Sequence, residues 1–239
     1  MKGLFVTGTD TGVGKTRVAV ALIRALRAQG MRVAAMKPVS AGSALQKDSD
    51  PLRAEARVES YAPGELNEDV VALLQAANVT VDIRDVNPYA FAPAIAPHIA
   101  AQQAGVQIEL EVIAEAYARL AAASDVVVVE GAGGWRVPLN EREDMADLAQ
   151  RLGLSVVLVV GMRIGCLNHA LLAAESIAHR HLSWAGWVGN AIDPDMACQA
   201  ENFAALRARL PVPCLGIHSY QPNPVPATGA PEWLILPEG

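Results

Sequence analysis

Short, unbroken apolar runs alternate along this chain with longer segments in which apolar residues recur every third or fourth position. The first pattern predicts buried strands and the second predicts helices that cover them. The predicted strands are 3–7, 32–36, 125–129, 155–160, 184–188 and 212–217. The predicted helices are 18–26, 69–77, 108–123, 143–152, 168–179 and 203–210. This alternation predicts an α/β fold, with a mostly parallel sheet and helices on both of its faces.

Three segments do not follow the alternation. Residues 43–65 are polar without a clear period, which predicts an exposed excursion, and the proline-rich segment 87–97 is expected to be mostly loop. After Tyr220 the chain carries several prolines, so residues 220–239 are predicted to form a loosely attached tail. We expect residues 1–239 to form one domain.

Composition narrows the class of partner. Apolar residues make up 52% of the chain and charged residues 18%, which excludes global disorder. The net charge of −6 argues against nucleic-acid binding and favours small-molecule partners. The three cysteines match neither a zinc site nor a disulfide framework, and no apolar run is long enough to span a bilayer. We therefore expect a cytoplasmic protein without a membrane partner.

The clearest motif is GTDTGVGKT, residues 8–16. It differs from the phosphate-binding P-loop pattern G-x-x-x-x-G-K-[ST] because the first glycine is one position early. The phosphate-facing end is intact: backbone N–H groups of Gly12, Val13 and Gly14 precede a helix, Lys15 adds a cation, and Thr16 offers a hydroxyl to magnesium. The sequence thus predicts a P-loop NTPase fold with a variant nucleotide site.

Septum-positioning and chromosome-partition ATPases share this fold but carry a K-G-G-x-G-K-[ST] loop. This chain has Asp10 and Thr11 where such loops have their signature lysine. The missing lysine argues against a membrane-cycling ATPase.

Two further residues are predicted to reach the same edge of the sheet. Glu130 ends one buried strand and Lys37 follows another, and open α/β sheets bind ligands at the carboxyl ends of their strands. A carboxylate there can hold magnesium, and a lysine can act on phosphoryl oxygens. Two other interpretations stay open: Glu130 as a cap for the loop after it, and Lys37 as a solvated charge.

The blocks GTDTGVGKT, KPVSAG, NEDVVALL, NPYAFAPAIAPHIAA, VVVVEGAGGW, VVGMRIGCLNHALL and GWVGN occur in this order. With them, the sequence resembles the dethiobiotin synthetase family over residues 2–217. The resemblance implies ATP- and magnesium-dependent closure of a ureido ring on 7,8-diaminononanoate with carbon dioxide. One amine forms a carbamate, ATP phosphorylates it, and the second amine displaces phosphate.

The resemblance also implies roles for particular residues. Lys15 and Lys37 stabilise the carbamate and the transferred phosphoryl group, and the magnesium ligands are Thr16, Asp69 and Glu130. The nucleotide-binding set is Gly12, Val13, Gly14, Lys15, Thr16, Arg17, Asp69, Glu130, Gly131, Ala132, Gly133 and Asn190, with Asn190 facing adenine. The substrate-binding set is Thr11, Ser40, Ala41, Gly165, Cys166, Leu167 and Asn168.

In this family the GCLNHALL helix start comes from the partner subunit, so the resemblance implies a homodimer with a shared substrate site. Ala41, preceded by Ser40, stands where the family has a serine or threonine against the diamine. GIHSY, residues 216–220, lacks the family's G-x-I-P proline on the base side. Asp48 and Asp50 are alternative acidic residues, and Asp69 is preferred because NEDVVALL matches the family's helix start.

Two alternative functions stay open. One is an amide-forming ligase of the same fold, although this chain has no room for a glutaminase domain. The other is a non-catalytic nucleotide switch or partner-binding module, against which the retained Lys15, Lys37, Asp69 and Glu130 argue.

Overall fold

A computed structural model describes residues 2–42, 66–222 and 229–237. The predicted excursion, with Asp48 and Asp50, lies outside these residues. The strands are β1 Gly3–Gly8, β2 Val33–Met36, β3 Val39–Ala41, β4 Tyr89–Phe91, β5 Val126–Glu130, β6 Ser155–Met162, β7 Trp184–Ala191 and β8 Cys214–His218. The helices are α1 Lys15–Ala28, α2 Glu68–Ala76, α3 Ile83–Val86, α4 Pro97–Gln103, α5 Leu110–Ala123, α6 Met145–Leu152, α7 Cys166–His179 and α8 Gln199–Arg209.

The main sheet confirms the predicted α/β architecture. Its strand order is β2-β5-β1-β6-β7-β8, and every pairing is parallel. Alternate residues of β1 enter opposite layers: Phe5 packs with the layer that includes α5, α6 and α7, whereas Leu4 and Val6 pack with α1. Helices therefore cover both faces, as an unbroken apolar strand requires.

The strand order brings three chemically distinct loop regions together. In the register of the sheet, Val6 of β1 pairs with Glu130 of β5, and Met36 of β2 pairs with Val129. Parallel strands end on the same side of a sheet, so the P-loop, Glu130 and Lys37 share one edge.

Of two predictions about irregular segments, that of a loosely attached tail is wrong for the described residues. Segment 87–97 is mostly irregular, as predicted, but residues 89–91 within it form β4, which pairs in parallel with β3 in a separate two-stranded sheet. Their partner strand lies some 50 residues earlier in the chain, which the local proline pattern cannot reveal. The described part of the tail is attached to the domain: the Ile235 N–H donates to the Leu215 carbonyl at 2.7 Å, and Leu234 is buried.

Candidate active site

The P-loop joins β1 to α1 through two glycines in the left-handed region. Gly12 has φ +75° and Gly14 has φ +90°, conformations that other residues adopt at a cost. A Cβ atom on Gly14 would lie 2.2 Å from Nδ2 of Asn190, so this glycine also permits close approach by β7. Val13 is buried, whereas Thr11 is exposed. The N–H of Thr11 donates to the Asp10 carboxylate at 2.7 Å.

Lys15 begins α1 and is nearly buried, with Nζ donating to the Asp10 carbonyl oxygen at 3.1 Å. Burial and the nearby ammonium of Lys37 together lower the pKa of Lys15 to about 8, against the opposing pull of Glu130 and Asp69. An anion such as a phosphate beside this lysine would raise its pKa again and favour the charged form.

Thr16 stands between two carboxylates. Its hydroxyl lies 2.7 Å from Oδ1 of Asp69 and 2.9 Å from Oε1 of Glu130. Asn67 caps α2 by accepting from the Asp69 N–H at 3.0 Å, as the sequence predicts. This hydrogen bond holds the backbone of Asp69 in the first turn of the helix, from which its side chain reaches Thr16. Elements distant in sequence thus converge on one hydroxyl group.

Lys37 completes the cluster. Its Nζ donates to Glu130 at 2.5 Å and to Oδ2 of Asp69 at 2.9 Å. Although burial opposes the charged form, the two carboxylates together raise the pKa of Lys37. Burial raises the pKa of Glu130, against the attraction of Lys37, whereas Lys37 and Thr16 outweigh burial and lower the pKa of Asp69.

The cluster has an oxygen-rich donor set that fits magnesium. Oε2 of Glu130 is buried and has no hydrogen-bond partner within the described part of the chain. An unpaired buried carboxylate oxygen is costly, and a divalent cation beside Thr16 and Asp69 would satisfy it.

The GAGGW loop after β5 packs on the P-loop. The Gly131 N–H donates to the Val6 carbonyl at 2.9 Å, and the Trp135 N–H donates to the Gly8 carbonyl at 3.1 Å. Gly133 has φ +62°, and a Cβ there would lie 2.6 Å from a Val137 methyl group. Ala132 is half-buried in the same turn.

One end of the site, beside Asn190, is a cavity of about 410 Å³. Its lining includes Gly12, Gly14, Thr16, Arg17, Asn190, Ala191, Ile192, Tyr220 and Gln221. Arg17 is directed toward this end, with NH1 lying 3.4 Å from Nδ1 of His218.

Ser40 and Ala41, two of the predicted substrate-binding residues, make hydrogen bonds to other parts of the protein. The Ser40 hydroxyl is buried and donates to Oδ1 of Asn87 at 2.9 Å, so its oxygen could contact a diamine only as an acceptor. Ala41 is partly exposed and its carbonyl accepts from Asn67 at 3.2 Å. Their roles stay predictions.

The four residues at the start of α7 also stay predictions. Gly165 has φ +91°, Cys166 is buried, Leu167 is partly buried and Asn168 is exposed. Within one copy of the described chain, no hydrogen bond joins them to the Lys37 cluster. Arg163, just before them, forms an ion pair with Asp10 of the P-loop.

Sequence reasoning missed Asn87. This buried residue donates from Nδ2 to the Lys37 carbonyl at 2.6 Å and to the Tyr89 carbonyl at 3.1 Å. It thereby holds the backbone of Lys37 against β4. No local pattern in the NPYAF block marks this residue as buried, and its need for partners becomes evident only once its burial is known.

Comparisons with known proteins decide the family. A family model described as an AAA domain matches residues 2–228. The ATP-dependent dethiobiotin synthetase BioD of Nitrosospira multiformis is 50% identical over 222 residues, covering 93% of this chain and 90% of that protein. That of Pseudomonas aeruginosa is 46% identical over 240 residues, covering 100% of this chain and 99% of the relative. The chain belongs to the dethiobiotin synthetase family.

Solved structures support the fold of this family member. The septum site-determining protein MinD of Pyrococcus horikoshii, solved with Mg-ADP, superposes with a TM-score of 0.52 at 16% identity, covering 92% of this chain and 82% of that one. The cell division ATPase MinD of Pyrococcus furiosus superposes with a TM-score of 0.52 at 19% identity, covering 93% of this chain and 85% of that one. Such low identity shows a shared P-loop NTPase fold alone.

Proposed function

We propose that this protein closes a ureido ring on 7,8-diaminononanoate by joining it to carbon dioxide at the expense of ATP. The observation that carries the proposal is the meeting of Lys37, Thr16, Asp69 and Glu130 beside the P-loop. Family membership supports the reaction, since the relatives are named as ATP-dependent dethiobiotin synthetases.

The proposed reaction runs between substrates. One amine adds to carbon dioxide and loses a proton, giving a carbamate. A carbamate oxygen attacks the γ-phosphorus of ATP and ADP leaves, giving a carbamic-phosphoric anhydride. The second amine attacks the carbamoyl carbon, closes the ring and expels inorganic phosphate.

The protein's part in this scheme is positioning and charge stabilisation. The P-loop N–H groups and Lys15 hold the phosphates, while the Lys37 ammonium faces the carbamate and the phosphoryl group in transfer. Thr16, Asp69 and Glu130 are the residues that would hold Mg²⁺, which when bound neutralises charge on the phosphate oxygens. No side-chain nucleophile is required, because the substrates supply one.

We further propose a homodimer in which the start of α7 completes the diamine site of the partner copy. Ile164 is 92% exposed and Leu172 is 58% exposed, which leaves apolar surface on and beside this helix. The N-terminal N–H groups of a 14-residue helix suit the distal carboxylate of the diamine.

The cytoplasm is the proposed location, which the free state of all three cysteines supports. Among the described residues, no helix has the length and apolarity needed to cross a bilayer.

The test is release of phosphate from ATP by the purified protein. We expect release only when both diaminononanoate and bicarbonate are present, together with formation of the cyclic urea detected by mass spectrometry. Release that is indifferent to the diamine would favour a nucleotide switch instead.

A further inference from the structure

The side-chain amide of Asn190 is fixed at both ends. Nδ2 donates to the Val13 carbonyl oxygen at 2.8 Å, and Oδ1 lies 3.0 Å from Nδ1 of His218. If the amide were rotated by half a turn, its oxygen would face the Val13 carbonyl, acceptor against acceptor. The contact with Val13 therefore determines which end of the amide is nitrogen.

The same contact determines the state of His218. Two groups compete for Nδ1 of His218: Oδ1 of Asn190, which can only accept, lies 3.0 Å away, and NH1 of Arg17, which can only donate, lies 3.4 Å away. The shorter contact assigns the proton to Nδ1, which donates it to Asn190. Burial lowers the pKa of His218, and the nearby charge of Arg17 lowers it further, which favours the neutral ring. His218 is thus a neutral Nδ1–H donor directed at Asn190.

The tail of the chain braces this imidazole. The Trp233 ring packs edge-on against His218, with ring centroids 5.0 Å apart and planes at 76°. Next to it, Leu234 forms an antiparallel bridge with Gly216 of β8. A Cβ on Gly216 would lie 2.2 Å from the Trp233 carbonyl oxygen, so only glycine permits this close packing.

The fixed amide has unused hydrogen-bonding capacity for a base. Its second N–H and the remaining lone pair of Oδ1 match N7 and the N6 amino group of adenine. Guanine has an oxygen in place of that amino group, and it would face Oδ1 as acceptor against acceptor. Asn190 lines the 410 Å³ cavity that opens beside the P-loop.

We infer that His218, braced by Trp233, is a positioning residue that strengthens selection of adenine over guanine by holding the Oδ1 end of the Asn190 amide, while the Val13 carbonyl holds its Nδ2 end. This inference rests on the proposed function to the extent that Asn190 faces the base of the nucleotide. It gives a role to the tail and to GIHSY, where this chain departs from the family pattern.

The test uses the full-length protein and compares dissociation constants for ADP and GDP, followed by tryptophan fluorescence or calorimetry. His218→Leu removes the donor, and we expect the preference for ADP to fall by about tenfold, the value of a good bidentate contact. His218→Asn places an amide N–H near the position of Nδ1–H and should restore most of the preference. Trp233→Ala should lower it and Trp233→Phe should retain it.

Two results would overturn the inference: an unmodified protein that binds ADP and GDP equally, or a preference that stays within about twofold in both His218→Leu and Trp233→Ala. If His218→Leu does not fold, the Trp233 pair decides, because its aromatic variant controls for packing. Since these measurements require no turnover, they separate this inference from the proposed reaction, whose failure would appear as missing diamine-dependent phosphate release.

Discussion

Nζ of Lys37 lies 2.5 Å from Oε1 of Glu130, and the two side chains are only 5% and 1% exposed. A buried ion pair is retained only when its geometry offsets the loss of hydration. Here the second carboxylate, that of Asp69, adds a contact at 2.9 Å. We expect the ammonium to neutralise this acidic pair in the free protein and to turn toward the phosphoryl group once a divalent cation takes its place.

Replacement of that ammonium should stop turnover and spare nucleotide binding. Lys37→Met keeps the apolar stem but removes the charge, so we expect kcat to fall on the order of a hundredfold or more. The dissociation constant for ADP should change by less than about threefold, because the P-loop supplies the phosphate contacts. Steady-state kinetics and calorimetry measure the two quantities, and a loss of ADP binding equal to the loss of kcat would contradict the assigned role.

The same variant has a predicted pH dependence of stability. The folded pKa of Glu130 is already raised by burial, and loss of Lys37 removes the group that opposes this shift. A carboxyl with a raised folded pKa stabilises the fold below its unfolded pKa and loses that contribution as pH rises through the folded one. Lys37→Met should therefore lose more stability against urea near pH 8 than near pH 5, and equal losses would contradict this assignment.

Neutralising Glu130 tests the metal site. Glu130→Gln keeps a hydrogen-bond acceptor for Lys37 but removes the anionic ligand, so we expect affinity for Mn²⁺, a spectroscopic substitute for Mg²⁺, to fall about tenfold or more in the presence of ADP. Electron paramagnetic resonance measures free Mn²⁺ directly. Glu111→Gln, at a carboxylate that is 62% exposed on α5, is the matched control and should bind the ion normally.

Much of this site could be predicted because its residues end buried strands. The P-loop, Lys37 and Glu130 each follow an unbroken apolar run, and parallel strands must present their ends together. The N-cap at Asn67 could be predicted as well, because the N–H that donates to it belongs to Asp69, only two residues further along the chain. Local patterns and strand ends thus place the P-loop, Lys37 and Glu130 at one edge of the sheet. The family resemblance is what implied Asp69, and the closeness of the three loops depends on the strand order.

Contacts between distant segments could not be predicted. Asn87 supports Lys37 through its carbonyl, and Trp233 packs on His218, but neither pairing leaves a periodic trace in the sequence. The parallel pairing of β3 and β4 is hidden for the same reason. Such contacts depend on how elements pack in three dimensions, which the local pattern around a proline or a polar residue does not encode.

Lys15 should take up a proton when ATP binds. Its pKa of about 8 in the free protein leaves part of the population neutral at mildly alkaline pH, and a triphosphate beside it raises that pKa. Binding between about pH 8 and pH 9 should therefore take up a fraction of a proton, and ATP affinity should fall as pH rises through this range. Calorimetry in buffers of different ionisation enthalpy measures the uptake.

Lys15→Arg is the control for this uptake. The guanidinium stays charged throughout the range, so its binding enthalpy should not depend on the buffer. If the unmodified protein shows equal enthalpies in all buffers, Lys15 is already fully charged in the free state and the prediction is wrong.

The shared-site model predicts that breaking the dimer raises the KM for the diamine and leaves nucleotide binding intact. Leu172→Asp places a charge on the exposed face of α7, so we expect a monomer by light scattering and a KM for diaminononanoate raised about tenfold or more. The cavity in which we propose that the nucleotide binds is lined by residues outside α7, so the dissociation constant for ADP should stay within about twofold. Ile235→Asp, at a tail position that is 68% exposed, adds the same charge elsewhere and should leave the dimer intact. A Leu172→Asp monomer with an unchanged KM would show that each chain binds the diamine alone.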